Sequence, residues 1–384
     1  MIKILTIIGA RPQIIKAAAV SRAIRNHFAD KITEVIIHTG QHYDTNMSQV
    51  FIEELAVPQP HYNLAVGSGP HGRQTALMIE GIENIIRSEN PDFLLVYGDT
   101  NSTLAGGVAA SKVHVPVVHV EAGLRSFNKS MPEEINRILC DHVSTLLFTP
   151  TLTGLNNLMK EGFVNNKKLD ASIDNPHIYH CGDIMYDNSL FFSQIADERS
   201  SILTQIGITG EPFILATIHR DNNTDNPERL NSIFSALNEL SKRNSLSIIV
   251  PLHPRTSGLL SVNLDSDLYN QVKSNNLLKV IQPVSFLDMI QLEKNAELII
   301  TDSGGVQKEA YFFRKPCVIA RPETEWVEIV EAGAGRVCDA DRERILESAG
   351  YFLSKPVIDY KQVFGDGKAA EFICRQILSC SKQA

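Results

Sequence analysis

Short, unbroken apolar runs rich in Val, Ile and Leu recur along this chain, and each stops on a small or polar cluster. They are KILTIIG (3–9), EVIIHTG (34–40), DFLLVYGD (92–99), VPVVHVEAG (115–123) and TLLFTP (145–150), then HIYHCGD (177–183), FILATIHR (213–220), LSIIVPLHPR (246–255), LLKVIQPV (277–284), ELIITDSGG (297–305) and KPCVIAR (315–321). A strand covered on both faces reads as a continuous apolar run, and such strands belong to parallel sheets. Helical stretches separate the runs, which is the βαβ pattern of a doubly wound α/β fold. The pattern is made twice, with the polar stretch NNKKLDASIDNPH (165–177) between the two halves. The expected architecture is therefore α/β, with two Rossmann-like doubly wound domains facing a cleft, the first over 1–175 and the second over 176–364, followed by a final helix over 365–384.

Composition narrows the function classes. A chain of 384 residues is long for one core and suits two domains. Its 43% hydrophobic and 21% charged residues are those of a folded soluble protein. A net charge of -8 excludes a broad nucleic-acid surface, which needs a basic face, but leaves room for a small anion held by a few placed cations. The six cysteines include no CxxC pair, so neither a zinc site nor a disulfide framework is expected. The apolar N-terminus MIKILTIIGARPQ turns charged too soon for a signal peptide and reads as a first strand. No segment is long enough to span a bilayer. A cytoplasmic enzyme or binding protein without a membrane partner is the expectation.

In open parallel sheets ligands bind beyond the carboxyl ends of the strands, so the residues that end each run are the candidates. TDSGGVQKEA (301–310) is a strand, a Ser-Gly-Gly turn and a helix start. There glycine lets the backbone approach an anion, and amides at the helix N-terminus point at it. Ser303, Gly304 and Gly305 fit a phosphate, and Glu309, about a turn further on, fits a ribose. The same sequence also suits an ordinary tight βα turn. GARPQIIK (9–16) sets Arg11 and Lys16 around the first helix start, where two cations can grip a pyrophosphate or simply be solvated. GSGPHG (67–72) matches GxGxxG but follows the second run and contains a proline, so it is read as a loop and no nicotinamide cofactor is expected. YGDTNST (97–103) puts Asp99 at a strand end, as an acid, a base or a helix cap. A metal site using Asp99, His119 and Glu121 lacks compact ligand spacing.

HVEAGLRSFNKSMPEEINR (119–137) gathers Glu121, Glu133, Glu134 and Arg137. Glu121 follows a buried-looking run, where an unpaired charge is costly. Glu133 and Arg137 lie at i,i+4, the spacing of a surface ion pair worth about 0.3–0.5 kcal/mol. His219 and His253 end two further runs, each followed by an arginine, a pattern of anion sites.

Taken in order, GARPQIIK, GQH, GDTNSTLAG, HVEAGLRS, MPEEINR, HR, PLHPR and TDSGGVQKEA resemble the motifs of the non-hydrolysing UDP-N-acetylglucosamine 2-epimerases across nearly the whole chain. The resemblance implies a GT-B-like fold, a last helix returning to the N-terminal domain, a UDP-sugar substrate, usually a homodimer, and no cofactor or metal. It assigns Arg11, Lys16, His219, Ser303, Gly304 and Gly305 to the diphosphate, Glu309 to the ribose and Phe286 to the uracil, with His253 among the substrate-binding residues. Asp99, Glu121 and Glu133 match the family's essential carboxylates, with Arg137 beside them and His219 counted among the catalytic residues. Gln41, His42, Arg73 and Gln74 match an activator site that takes a second UDP-GlcNAc in some members. Tyr43-Asp44 departs from the usual residues there, and Trp326-Val327 replaces the usual Arg-Pro or Trp-Pro. TIIGARPQ, SFNKSMPEE and TEWVE are similar to a branch acting on UDP-2,3-diacetamido-2,3-dideoxyglucuronate in O-antigen synthesis. The wider class, UDP-GlcNAc to UDP-ManNAc for cell-envelope polysaccharide, is taken first and that branch second. A GT-B glycosyltransferase is the alternative from another class.

Overall fold

The computed structural model describes residues 1–41, 57–252 and 254–381. The chain divides into two compact units, Met1–Asn188 with Gln362–Ala384, and Ser189–Lys361.

The first unit holds a sheet of β1 (Ile2–Ile8), β2 (Ile32–His38), β3 (Tyr62–Asn63), β4 (Phe93–Tyr97), β5 (Val117–Val120), β6 (Leu146–Thr149) and β7 (His177–His180). Their order is β3-β2-β1-β4-β5-β6-β7, every pair parallel. The second unit holds β8 (Phe213–Thr217), β9 (Ser247–Pro251), β10 (Leu278–Ile281), β11 (Leu298–Thr301), β12 (Cys317–Ile319) and β13 (Gly335–Val337). Their order is β10-β9-β8-β11-β12-β13, again all parallel. This is the doubly wound order, made twice. The runs read from the sequence became strands. The structure adds β3 and β13, whose two and three residues are too short to carry a hydrophobic period.

Burial follows helical spacing on the covering helices. In His71–Glu89, Met78, Ile82, Ile85 and Ile86 form one stripe packed on Leu5, Ile37, Leu94 and Val96 of the sheet. In Pro227–Asn244, Leu230, Ile233, Phe234 and Leu237 do the same against Ile214, Ile248, Val250 and Ile300. No helix among the described residues is long and apolar enough to cross a membrane. All six cysteines are free, four of them buried.

The last helix, Ala369–Ser381, belongs to the first unit, where Ile373, Cys374 and Ile377 are buried. Asp187 accepts hydrogen bonds from the amides of Ala369 (3.1 Å) and Ala370 (2.8 Å) at its N-terminus. Burial is the main cause that raises the Asp187 pKa to about 6, against these two bonds. The folded value lies above the unfolded value near 3.8, so the native state holds the extra proton. This group's contribution to stability is full below the unfolded value and is lost as pH rises through about 6. Asp187→Asn should therefore flatten the pH dependence. Relative to wild type it should gain about 1–3 kcal/mol as pH rises from the unfolded value of 3.8 through the folded value of about 6, read from urea unfolding at a series of pH values. A parallel pair of pH curves would refute the assignment.

Candidate active site

In each sheet the strand order reverses at one place, between β1 and β4 in the first unit and between β8 and β11 in the second. Crevices at such reversals are where doubly wound folds bind ligands. The residues just beyond these four strands are Gly9-Ala10-Arg11, Gly98-Asp99, Ile218-His219 and Asp302-Ser303-Gly304, so topology alone brings together most of the candidates in each unit.

In the first unit Lys16, from the second turn of helix Arg11–Ala23, forms an ion pair with Glu121 beyond β5. Both side chains are largely withdrawn from solvent, at 13% and 9% exposure. Gly98, between them in space, has φ +63°, and a Cβ there would lie 3.0 Å from Lys16 Nζ and 3.3 Å from Glu121 Oε2. Glu121 itself has φ 75°, in the left-handed region. A side-chain-bearing residue held there costs about 1–3 kcal/mol and persists only where the surroundings enforce it, most often at functional sites. Two residues on, Gly123 has φ +77° and lies against the Gly154 backbone so closely that a Cβ would overlap its carbonyl oxygen.

Asp99, beyond β4, is one-third exposed and paired with Arg137 NH2. Arg137 is buried and also donates to Glu134 Oε2 at 3.1 Å. The helix Pro132–His142 separates the two adjacent glutamates. Glu133 is exposed. Glu134 is 1% exposed and accepts from the amides of Ser126 and Phe127 (both 2.9 Å) and from the Ser126 hydroxyl (3.0 Å). The i,i+4 pairing of Glu133 with Arg137 that the spacing allows is not made: Arg137 turns to Asp99 and Glu134 instead. An amide chain supports this group. Asn136 Nδ2 donates to the Asp99 carbonyl (2.9 Å) and to Asn101 Oδ1 (3.1 Å), Asn101 Nδ2 donates to Gln74 Oε1 (2.8 Å), and Gln74 Nε2 donates to the Gly67 carbonyl (2.7 Å). Gln41 Oε1 accepts from the amide (3.1 Å) and hydroxyl (2.7 Å) of Ser102 in the same helix as Asn101. Of the activator-site positions, Gln41 and Gln74 thus lie in one polar network. Arg73 is exposed, and His42 with Tyr43 and Asp44 lies outside the described residues. Arg11 is exposed at the first helix position.

In the second unit Asp302, fully buried, accepts from the amides of His219 (3.2 Å) and Arg220 (3.1 Å) and from Asn223 Nδ2 (3.0 Å). His219 Nδ1 lies 3.2 Å from its other oxygen, and the imidazole is 54% exposed. Asp302 thereby orients a ring that stays half exposed. Ser303 caps helix Gly304–Phe312, its hydroxyl accepting from Val306 N at 3.4 Å. Lys308 sits over the Trp326 ring, 4.2 Å from its centroid. Glu309 is half-buried. Burial, and then Glu309, push the Glu293 carboxyl well above its ordinary range. Phe286 is buried edge-on to Phe192, with centroids 5.4 Å apart. His253 lies outside the described residues. Among the described residues no three His, Cys, Asp or Glu side chains gather as a metal site.

The sequence reading named Glu134 without giving it a part, and missed Asn101, Asn136 and the role of Asp302. Adjacent glutamates after a proline carry no mark of which one turns inward, and an asparagine at a helix start reads as a cap.

The helix start at Ser303 yields a direct test. Aspartate is as good an N-cap as serine, so Ser303→Asp should keep the fold while placing a negative charge beside the helix amides. UDP affinity should fall at least about tenfold by calorimetry, from like-charge repulsion in place of a helix-terminus anion site. Unchanged affinity in a folded variant would remove the turn from the binding site.

Two Rossmann-like doubly wound units, with carboxylates and cationic groups beyond the strands at their topological reversals, belong to the GT-B-like class of folds. A family model described as UDP-N-acetylglucosamine 2-epimerase matches residues 24–378. The chain is 49% identical, over 98% of its length and 99% of the relative's, to a UDP-2,3-diacetamido-2,3-dideoxy-D-glucuronate 2-epimerase of Pseudomonas aeruginosa. It is 48% identical, over 96% of its length and 97% of the relative's, to a UDP-N-acetylglucosamine 2-epimerase homolog of Methanococcus maripaludis. The crystal structure of the Methanocaldococcus jannaschii UDP-GlcNAc 2-epimerase in complex with UDP-GlcNAc and UDP superposes with a TM-score of 0.85 at 42% identity, covering 98% of this chain and 99% of that one. The chain belongs to the UDP-N-acetylglucosamine 2-epimerase family and is an epimerase.

Proposed function

We propose that this enzyme is a non-hydrolysing 2-epimerase of a UDP-2-acetamido sugar, converting UDP-GlcNAc to UDP-ManNAc in the cytoplasm for cell-envelope polysaccharide. The observation that carries the reading is the trio Asp99, Glu121 and Glu133, set beyond the adjacent strands β4 and β5 and on the next helix, with Lys16 and Arg137 paired into it.

The C2 hydrogen is weakly acidic, and inversion requires its removal from one face and return to the other. Loss of UDP supplies the driving chemistry. A carboxylate takes the C2 proton, the C2–H electrons form the C1–C2 double bond, and the C1–O bond breaks with its electron pair leaving on UDP, giving 2-acetamidoglucal. In the reverse sense UDP oxygen adds to C1 while a carboxylic acid protonates C2 from the opposite face. Such a cycle asks for acid–base groups on both faces of the sugar and for fixed positive charge on the departing diphosphate. The carboxylate trio suits the first need. Arg11 and Lys16 in the first unit, and His219 with the Ser303-Gly304-Gly305 turn in the second, suit the other. Glu309 serves the ribose and Phe286 the uracil.

In heavy water the product should carry deuterium at C2, with no nicotinamide added. NMR of C2 across a panel of UDP-sugars measures this directly. A product that keeps its original hydrogen would overturn the elimination route. A second reading, UDP-2,3-diacetamido-2,3-dideoxyglucuronate as substrate for O-antigen, is favoured by the 49% identity to the Pseudomonas aeruginosa enzyme and is decided by the same panel. A glycosyltransferase would transfer the sugar to an acceptor and leave C2 untouched. We further infer a homodimer, tested by light scattering.

A further inference from the structure

His119 is fully buried in β5, two residues before Glu121, and the reaction as drawn gives it no part. Its Nε2 lies 2.8 Å from the Gly98 carbonyl oxygen and its Nδ1 2.7 Å from Asp141 Oδ1. A carbonyl oxygen can only accept. Asp141 is ionised: burial raises its carboxyl, but His119 and the Arg125 guanidinium, which donates to its other oxygen (2.8 Å) beside the Gly123 amide (3.2 Å), hold it below the ordinary range. Both ring nitrogens therefore donate, and the ring is an imidazolium. The charged groups around it are Asp141 and, beyond, Arg125 and Glu161, joined by two further bonds of 2.7 and 2.6 Å. Two cations and two carboxylates balance in the cluster, whose outer member Glu161 is 29% exposed and has His142 Nε2 3.9 Å away. The Cys140 thiol is the other titratable group beside the ring. Burial would lower this histidine's pKa, yet Cys140 and Asp141 outweigh it and hold it well above the ordinary imidazole range.

The placement gives the cluster a role. The Gly98 carbonyl and the Asp99 amide share one rigid peptide plane. The Gly98 amide is itself bound to the Val120 carbonyl at 3.0 Å, so β5 holds both polar groups of Gly98. On the other side Asp141 pins the Gly123 amide, and Asn157 the Gly123 carbonyl at 3.0 Å. Glu121 lies between these anchors with its left-handed backbone.

We propose that His119 is a positioning residue that, as a permanently charged imidazolium linking Gly98 to Asp141, fixes Asp99 and Glu121 relative to each other. The inference rests on the reading of those two carboxylates as the acid–base groups. Misplacement of reacting groups by about 1 Å can cost about 10²-fold.

The test has two parts. Selective ¹⁵N-histidine labelling of the wild type, with the His119→Gln spectrum identifying the resonance, should show both ring nitrogens protonated at about pH 8, where an ordinary imidazole is neutral. A neutral ring overturns the proposal whatever the kinetics show. Next, His119→Gln and Asp141→Asn should lose about 10²-fold in kcat while UDP affinity stays within about twofold, and Asp99→Asn and Glu121→Gln are assayed beside them. Folded His119→Gln with wild-type kcat overturns the positioning role alone, provided the carboxylate variants are inactive. Active carboxylate variants instead overturn the acid–base reading. If His119→Gln does not fold, the imidazole resonance that moves in Asp141→Asn identifies His119 in the wild-type spectrum, and the turnover of Asp141→Asn decides the positioning role.

Discussion

Glu121→Gln is expected to bind UDP as the wild type does and to lose about 10²–10⁴-fold in turnover, the usual cost of removing a general acid or base. The substitution keeps the shape of the side chain and removes its charge and its capacity to carry a proton. It also deprives Lys16 of its carboxylate partner in a place only 13% exposed, so a stability loss of about 1–3 kcal/mol should accompany the loss of rate. The two effects separate by measurement. Calorimetry reads UDP affinity, chemical unfolding reads stability, and C2 exchange in heavy water reads chemistry. A folded variant that exchanges C2 at the wild-type rate would reduce Glu121 to a structural partner of Lys16. A variant losing UDP affinity in step with rate would make it a binding group. The strained φ of 75° favours the catalytic outcome, because a purely structural ion pair gains nothing from a backbone conformation that costs free energy.

The neighbours Glu133 and Glu134 should respond in opposite ways. Glu133→Gln, at an exposed position, should leave the unfolding midpoint unchanged and lower turnover by about 10²–10⁴-fold. Glu134→Ala should instead cost about 1–3 kcal/mol or more, because it takes one of its two carboxylate partners from the buried Arg137 guanidinium and leaves three donors of Ser126 and Phe127 without their acceptor. Its activity, measured well below the melting range, should fall through displacement of Arg137 and Asp99. Stability loss at Glu133 with none at Glu134, or full turnover in Glu133→Gln, would overturn the division of labour.

That division marks how far the sequence could be read. The parallel sheets were legible because an unbroken run such as FLLVY or FILAT has no polar face to turn to water, so helices must cover both sides. The strand-end rule then picked out Asp99, Glu121, His219 and Ser303 as candidates with no contact in view, and the structure sets each just beyond its strand. Strands β3 and β13 escaped because so few residues carry no pattern. Glu134 escaped because burial of one glutamate of a pair depends on how its helix is turned against the rest of the unit.

The sequence by itself determined the two doubly wound units, the polar strand ends and the family, since these rest on local runs and on motifs in a fixed order. The tertiary structure decided the pairings. Lys16 meets Glu121 across 105 residues, Arg137 meets Asp99 across 38, and His219 meets Asp302 across 83. A charge chooses its partner by the cost of being buried without one, and which charges are buried together is set only when the sheet brings distant strand ends side by side.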